Sequence, residues 1–395
     1  MTFTVNTLTF FSNYFNHHQK ALCDAWYELL GDGFTFVETM PMEEFRANMG
    51  WGEDAPPYVL RSYESEEADQ KARKLGIDSD LVVMGTAPEY FIEPRLDANK
   101  IIFRYSERPL KEGFIKFFIP RLTKKYLHLH VRNRNKNIHI LGASAFTSLD
   151  YKKMFNSYPD KCYKFGYFPK HIEYDMNSLL EEKEQKAKEA GATTILWEGR
   201  MLKLKRADLL IKAADILRNR GYDFKVTLIG DGEEKENLIN LTKKLELEDI
   251  VNFEGFLKPD EARKRMSEAQ IYVMTSNFWE GWGSVIYEGL NAGCCEVASH
   301  ACGATPWLVK DNETGFVYRS GDEKSLADKL EIAIKDEETR KRLSRAAYKQ
   351  MHELWNPQVA AKRVIGLAES IENHEPCPYE DGPCSKAEYV KNNWF

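Results

Sequence analysis

The sequence predicts a two-domain α/β protein built on parallel sheets, and three observations carry that expectation. The chain has 395 residues, of which 43% are hydrophobic, enough for two domains of ordinary size, each with its own core. Short apolar runs alternate with helical stretches, the pattern of a parallel sheet covered by helices on both faces. The alternation pauses near residue 170, passes through a charged helix at Leu179 to Ala190 and then starts afresh.

In the first half, strands are expected at Phe3 to Phe11, Phe34 to Val37, Asp80 to Gly85, Lys100 to Phe103, Ile138 to Ala143 and Cys162 to Phe168. Helices are expected at Gln19 to Leu30, Glu66 to Leu75 and Asp150 to Phe155. In the second half the strands are Thr193 to Glu198, Phe224 to Gly230, Ile250 to Glu254, Ile271 to Met274, Cys295 to Ser299 and Gly315 to Tyr318. Asn356-Pro357 ends one helix, and Gln358 to Ile371 forms another that returns to the first domain. The domains are thus 1–170, completed by 357–395, and 171–356. Their halves should face one crevice, with ligands at the carboxyl ends of the strands.

Composition narrows the function. A net charge of −6 argues against a general nucleic-acid binder. Seven cysteines, including the adjacent pair Cys294-Cys295, do not form a disulfide framework or zinc spacing and suit a reducing cytoplasm. Cys377 and Cys384 could pair, but thiols are expected there. The N-terminus lacks a cationic start before its apolar run, and no apolar run reaches the roughly eighteen residues of a membrane span. Asp78-Ser79-Asp80 has the form of a metal-binding DxD, but short motifs of this kind are often fortuitous. No metal ligand and no cofactor is expected.

The chain is organised around Trp279-Glu280-Gly281-Trp282-Gly283-Ser284-Val285-Ile286-Tyr287-Glu288-Gly289-Leu290-Asn291-Ala292-Gly293. It reads as a glycine-bearing loop that opens a helix after a buried strand. Free amides and the positive end of the helix dipole suit phosphate there. Glu280 precedes the first turn, and Glu288 lies about 12 Å further along the axis at the helical rise. Two carboxylates flanking an anion site match the span of a nucleotide sugar. An ionised Glu288 in a helix apolar almost all round needs a partner: either a polar ligand or a neighbouring basic residue, with Glu280 then left solvated.

Glu280-x7-Glu288 resembles the acidic signature of retaining nucleotide-sugar glycosyltransferases of the GT-B fold, specifically glycosyltransferase family 4. Gly199-Arg200 with Lys205, the Gly230-Asp231-Gly232 turn, Gly303-Ala304-Thr305-Pro306 and Asp311-Asn312-Glu313-Thr314-Gly315 are similar to further family segments. The resemblance is strong over about residues 193 to 350 and weak over the first 170. It implies two Rossmann-like domains, with Arg200 and Lys205 holding the donor diphosphate and Glu280 and Glu288 taking sugar and nucleoside hydroxyls. Gly199, Gly230, Phe256, Leu257, Gly281, Trp282, Gly283 and Ser284 would line the donor site, and Phe256 and Leu257 would lie by the base. Arg200, Lys205 and Glu280 are the implied catalytic residues. The resemblance gives no protein base, because the departing phosphate is thought to accept the acceptor's proton.

The implied reaction moves a sugar from a nucleoside diphosphate to a glycan or lipid-linked acceptor, in cell-surface polysaccharide or glycolipid synthesis. The rival reading is a non-catalytic partner subunit or glycan-binding protein on the same fold. The first loop departs from the family, with Ser12-Asn13-Tyr14-Phe15-Asn16-His17-His18 where glycines are usual. His17 and His18 could bond a phosphate or an acceptor hydroxyl, or be a surface pair that opens a helix. From Lys100 to Leu141 basic residues (Arg104, Arg108, Lys111, Lys116, Arg121, Lys124, Lys125, Arg132, Arg134, Lys136) are interleaved with Phe114, Ile115, Phe117, Phe118, Ile119 and Leu122. This is either a patch for anionic lipid at the inner face of a membrane or a solvated basic face.

Overall fold

The computed structural model describes residues 2–44, 55–113, 115 and 118–395. The chain folds as two compact units: Met1–Lys170 with Leu354–Lys391, and His171–Glu353 with Asn392–Phe395.

The first unit holds a parallel sheet of β1 (Leu8–Ser12), β2 (Phe34–Glu38), β3 (Val59–Arg61), β4 (Leu81–Met84), β5 (Ile102–Ser106), β6 (Ile138–Gly142) and β7 (Cys162–Lys164). Their order is β3-β2-β1-β4-β5-β6-β7, so it reverses between β1 and β4. β1 starts later than the apolar run suggests because the amides before it are taken by side chains. Phe3 donates to Asn373 Oδ1 (2.8 Å), and Asn6 and Thr7 donate to Asp80 Oδ2 (both 2.9 Å). Arg95 donates to the carbonyls of Ser79 and Asp80 (both 2.6 Å). Asp80, the second acid of the DxD triplet, is therefore a clasp on the chain before β1.

The helix Pro357–Glu372 has Asn356 as its cap and proline in its first turn, where a missing N–H costs nothing. It packs on the helix His17–Leu30, and Trp26 Nε1 donates to the Ala361 carbonyl (3.1 Å). β7 is shorter than expected, and the following tail covers its edge: Lys164 N bonds Ser385 O (2.8 Å) and Cys384 N bonds Lys164 O (2.7 Å). Covering removes an open pairing edge. The Cys377 thiol bonds the Cys384 carbonyl (3.4 Å), and both cysteines are free.

The second unit repeats the design with β8 (Thr193–Glu198), β9 (Phe224–Ile229), β10 (Val251–Gly255), β11 (Ile271–Met274), β12 (Cys295–Ser299) and β13 (Phe316–Tyr318). All pair in parallel in the order β10-β9-β8-β11-β12-β13, reversing between β8 and β11. One sheet face carries Ile195, Trp197, Val226, Leu228, Val273 and Val297 into a core with the helices Ala207–Asn219 and Glu323–Lys335. The other face carries Tyr272 and Glu296. The last four residues join this unit and not the first, with Trp394 Nε1 donating to the His300 carbonyl (2.9 Å).

Candidate active site

The reversal between β8 and β11 sets the site, because loops leaving neighbouring strands in opposite directions open a crevice at their carboxyl ends. After β8 the chain runs Gly199-Arg200-Met201 and reaches a short turn at Lys203–Lys205. After β11 it runs Thr275-Ser276-Asn277 to Glu280. Hydrogen bonds tie the two loops together: Asn277 N to Leu204 O (3.0 Å) and Thr275 Oγ1 to Lys205 O (2.5 Å). Trp197 Nε1 in turn donates to Thr275 Oγ1 (2.8 Å).

This bracing brings Lys205 and Glu280 into direct contact across 75 residues of sequence, Nζ to Oε2 at 2.5 Å, and Ser276 Oγ donates to the same oxygen (3.0 Å). The two side chains remain 17% and 15% exposed, so the pair borders solvent. Arg200, in the same loop as Lys205, is exposed.

The loop then turns through Gly283 into the helix Ser284–Asn291. Gly283 has φ +87°, and a Cβ there would stand 2.5 Å from Cys302 Sγ and 2.8 Å from Met274 Cε. A side chain at this position would push the helix start off the sheet. First-turn amides of a helix lack partners within it, so the helix start at Ser284 has the character of an end that suits an anion. Trp282 is buried against Trp307 (ring centroids 5.9 Å) and its carbonyl accepts from Ala304 N (3.0 Å), so indole and carbonyl both hold the loop in place.

Glu288, one turn into the helix, has the basic partner that its surroundings demand. Arg263 Nη1, from the helix Pro259–Glu268, donates to its Oε1 (3.2 Å), while Arg263 Nη2 holds Asp260 (2.7 Å). Burial raises the Glu288 pKa, and Arg263 opposes that shift. The contact uses one guanidinium nitrogen, and Glu288 stays 10% exposed.

The loop after β9 is tied to the one after β8, and the end of β10 to the loop after β9. Gly199 N bonds Ile229 O (3.1 Å), Met201 N bonds Asp231 O (2.8 Å) and Gly230 N bonds Gly255 O (2.7 Å). Gly230 has φ +132°, and a Cβ there would run into the Gly199 carbonyl oxygen. Phe256 projects from the end of β10, 45% exposed, and Leu257 follows it half-buried.

Two acids that sequence reasoning passed over belong to the same face. Glu198, the last residue of β8, is partly buried. Its pKa is pushed up to about 8 by burial first and then by Glu288, against the pull of Arg263 and Lys205. Glu296 on β12 is fully buried with both carboxyl oxygens unbonded, and burial drives its pKa well above the carboxylate range.

In the first unit, His17 and His18 open the helix His17–Leu30 behind β1, with Asn16 Oδ1 accepting from His18 N (2.9 Å) and the two rings 3.9 Å apart. The basic segment is not one surface. Arg104 is buried and forked onto Glu89 (2.7 and 2.9 Å), and Arg108 is buried and forked onto Asp150 (both 3.1 Å). These two cations hold the fold together and leave the patch. Arg121, Lys124, Lys125, Arg132 and Arg134 are exposed, as are Ile115, Phe118 and Ile119. Phe114, Lys116 and Phe117 lie outside the described residues. No helix among the described residues is long and apolar enough to cross a membrane.

Comparison with known proteins agrees with this geometry. The profile of the family described as Glycosyl transferases group 1 matches residues 180–350. The chain is 30% identical over 275 residues, 68% of its length and 70% of the relative's, to the N-acetylgalactosamine-N,N'-diacetylbacillosaminyl-diphospho-undecaprenol 4-alpha-N-acetylgalactosaminyltransferase of Campylobacter jejuni. It is also 30% identical over 162 residues to the lipopolysaccharide core biosynthesis glycosyltransferase LpsE of Rhizobium meliloti, covering 41% of this chain and 45% of that one. Among solved structures, Anabaena Alr3699/HepE in complex with UDP superposes with a TM-score of 0.68 at 16% identity, over 93% of this chain and 100% of that one. WaaG, a glycosyltransferase involved in lipopolysaccharide biosynthesis, superposes at 0.61 with 16% identity, over 91% and 99%. Two parallel α/β units, a charged crevice at the β8/β11 reversal and this degree of likeness lead to one conclusion: the chain belongs to the Glycosyl transferases group 1 family and is a glycosyltransferase of the GT-B fold.

Proposed function

We propose that the protein is a retaining, family 4 enzyme that transfers a sugar from a nucleoside diphosphate donor to a glycan or lipid-linked acceptor. The observation that carries this reading is the Lys205–Glu280 contact at the β8/β11 reversal, beside the start of the Ser284–Asn291 helix. A cation, a carboxylate and a helix N-terminus in one place provide for a diphosphate and an adjoining sugar together. In this reading Arg200 and Lys205 take charge that builds on the departing diphosphate, the kind of preorganised electrostatic aid that often dominates catalysis. Glu280 takes sugar hydroxyls, Glu288 nucleoside hydroxyls, and the backbone at Phe256 and Leu257 the base. The two basic groups do the neutralising that a metal ion would otherwise do, so transfer proceeds without one.

The UDP found with the Anabaena protein and the diphospho-undecaprenol substrate named for the Campylobacter enzyme support a nucleotide donor and a lipid-linked acceptor. They also favour work at the inner face of a membrane, where exposed Phe118, Ile115, Arg121, Lys124 and Lys125 would meet anionic lipid. Binding to anionic liposomes that falls with salt and with Arg121, Lys124 and Lys125 changed to Ser is the expected result. The donor is tested by thermal shift over UDP, GDP and ADP sugars. A true donor at about 100 times its Kd should stabilise by about 2.7 kcal/mol, and failure of every nucleotide sugar would overturn the reading.

A further inference from the structure

The sheet face opposite the Leu228 core gathers more acid than its cations can answer. Ile195 and Trp197 enter that core, so Leu196 and Glu198 alternate onto the other face. Leu196 pairs with Tyr272 of β11, and Tyr272 with Glu296 of β12. The Tyr272 hydroxyl donates to the Glu198 carbonyl (3.2 Å), which fixes the end of β8. Around the Glu198 side chain stand Glu288 and Arg263 from two helices and Lys205 from the loop after β8. Both cations are already engaged, Arg263 with Glu288 and Asp260 and Lys205 with Glu280. No hydrogen bond ties the Glu198 carboxyl to any described residue, and yet it sits directly before Gly199 and Arg200.

We propose that Glu198 is a further donor-binding residue, which acts as a neutral carboxylic acid and donates a hydrogen bond to the nucleoside diphosphate while Glu288 beside it accepts one. This inference rests on the donor reading above. A neutral carboxyl both donates and accepts, and an ionised one only accepts. Two ionised carboxylates next to a diphosphate would repel it, whereas a pair that shares one negative charge presents complementary donor and acceptor groups to ligand hydroxyls and phosphate oxygens. Burial and Glu288 keep Glu198 protonated up to about pH 8, and an arriving anion strengthens that preference. Tyr272 and Glu296 hold their protons still more firmly, and Glu288, itself raised by burial, is paired with Arg263, so the proton given up on this face as pH rises is the one that Glu198 and Glu288 share. The sign follows: donor affinity is full below about pH 8 and falls as pH rises through it.

Calorimetry of the full chain with UDP, GDP and ADP at about pH 7, 8 and 9 tests this. For the nucleotide that binds, Kd should rise up to about tenfold from pH 8 to 9, the limit for one obligatory proton, and binding at pH 9 should take up close to one proton when compared between buffers of different ionisation heat. Glu198→Gln should bind within about threefold of the unmutated protein at pH 7, lose the alkaline fall and take up no proton. Glu198→Ala should bind more weakly at pH 7 and also without the fall. A fall that survives in Glu198→Gln, or a flat profile without proton uptake in the unmutated protein, would overturn this inference alone. No binding of any of the three nucleotides at pH 7 would remove the donor reading and this inference together.

Discussion

The two sheets reverse strand order in the same way, between β1 and β4 in one and between β8 and β11 in the other, and yet the charges in the segments that follow their strands are held differently. In the first unit, Glu38 at the end of β2 accepts from Phe15 N (3.2 Å) and Arg61 Nε (2.9 Å), while Arg108 and Asp150 form a two-pronged pair 5% and 2% exposed. In the second, Lys205–Glu280 and Arg263–Glu288 are single-point contacts at the edge of solvent. A forked, enclosed pair is structural because either partner alone would be stranded. A single-point pair with water at its edge can exchange its partner for a ligand. The same topology thus carries closed charge pairs in one unit and open ones in the other, and the difference lies in hydrogen-bond valence, not in the number of charges.

Mutations can break this contrast. The largest effect is expected for Asp150→Ala, which strands Arg108 and leaves Leu110 N without its acceptor. A loss of about 3–5 kcal/mol in stability should appear in denaturant unfolding, and a loss under about 1 kcal/mol would mean that the forked pair is no more structural than the open ones. Next comes Lys205→Ala, with turnover down about 10²–10³-fold and the unfolding midpoint almost unmoved. Arg200→Ala should act in the same direction. If donor affinity fell as far as kcat/KM in either variant, these groups would only hold substrate.

A smaller effect, about tenfold in donor Kd or about 1.4 kcal/mol, is expected for Glu288→Ala by calorimetry. Its stability should hold, because Arg263 keeps Asp260. Unchanged affinity in the folded variant would return Glu288 to a purely structural place. Smallest of all is the response to a chelator: the rate should stay within about twofold in EDTA, since Arg200 and Lys205 are expected to neutralise the diphosphate. Abolition with rescue by magnesium would defeat the metal-independent reading.

The sequence disclosed the fold well because buried parallel strands are apolar throughout. Ile271–Met274, Cys295–Ser299 and Thr193–Glu198 stand where their runs place them. It marked the loop from Trp279 to Gly293 as a candidate site because glycine spacing and paired acids are local features. β3 escaped notice since three half-buried residues at a sheet edge leave no periodic trace. Arg263 was hidden for a different reason: in the mixed-charge helix Pro259–Glu268 an arginine that reaches a partner 25 residues away looks like any surface arginine. Arg104 and Glu198 did carry a signal. Each is a charge set within or at the end of an otherwise apolar strand, Ile101-Ile102-Phe103-Arg104 and Ile195-Leu196-Trp197-Glu198, and burial at such a place implies either a partner or a proton.

The chain passes from one unit to the other at 170/171, 353/354 and 391/392, and this bears on how such proteins can be recombined. Neither unit is a continuous stretch. A fragment ending at residue 170 would lack the helix whose Ala361 carbonyl receives Trp26, and a fragment of 171–353 would lack Trp394 on His300. A chimera that borrows the first unit from a relative must therefore bring two segments, 1–170 and 354–391, and rejoin the chain at three seams. Exchange by a single crossover at 170/171 would leave the second unit whole but pair the first sheet with a foreign closing helix, so the first unit is the one that shuffling breaks.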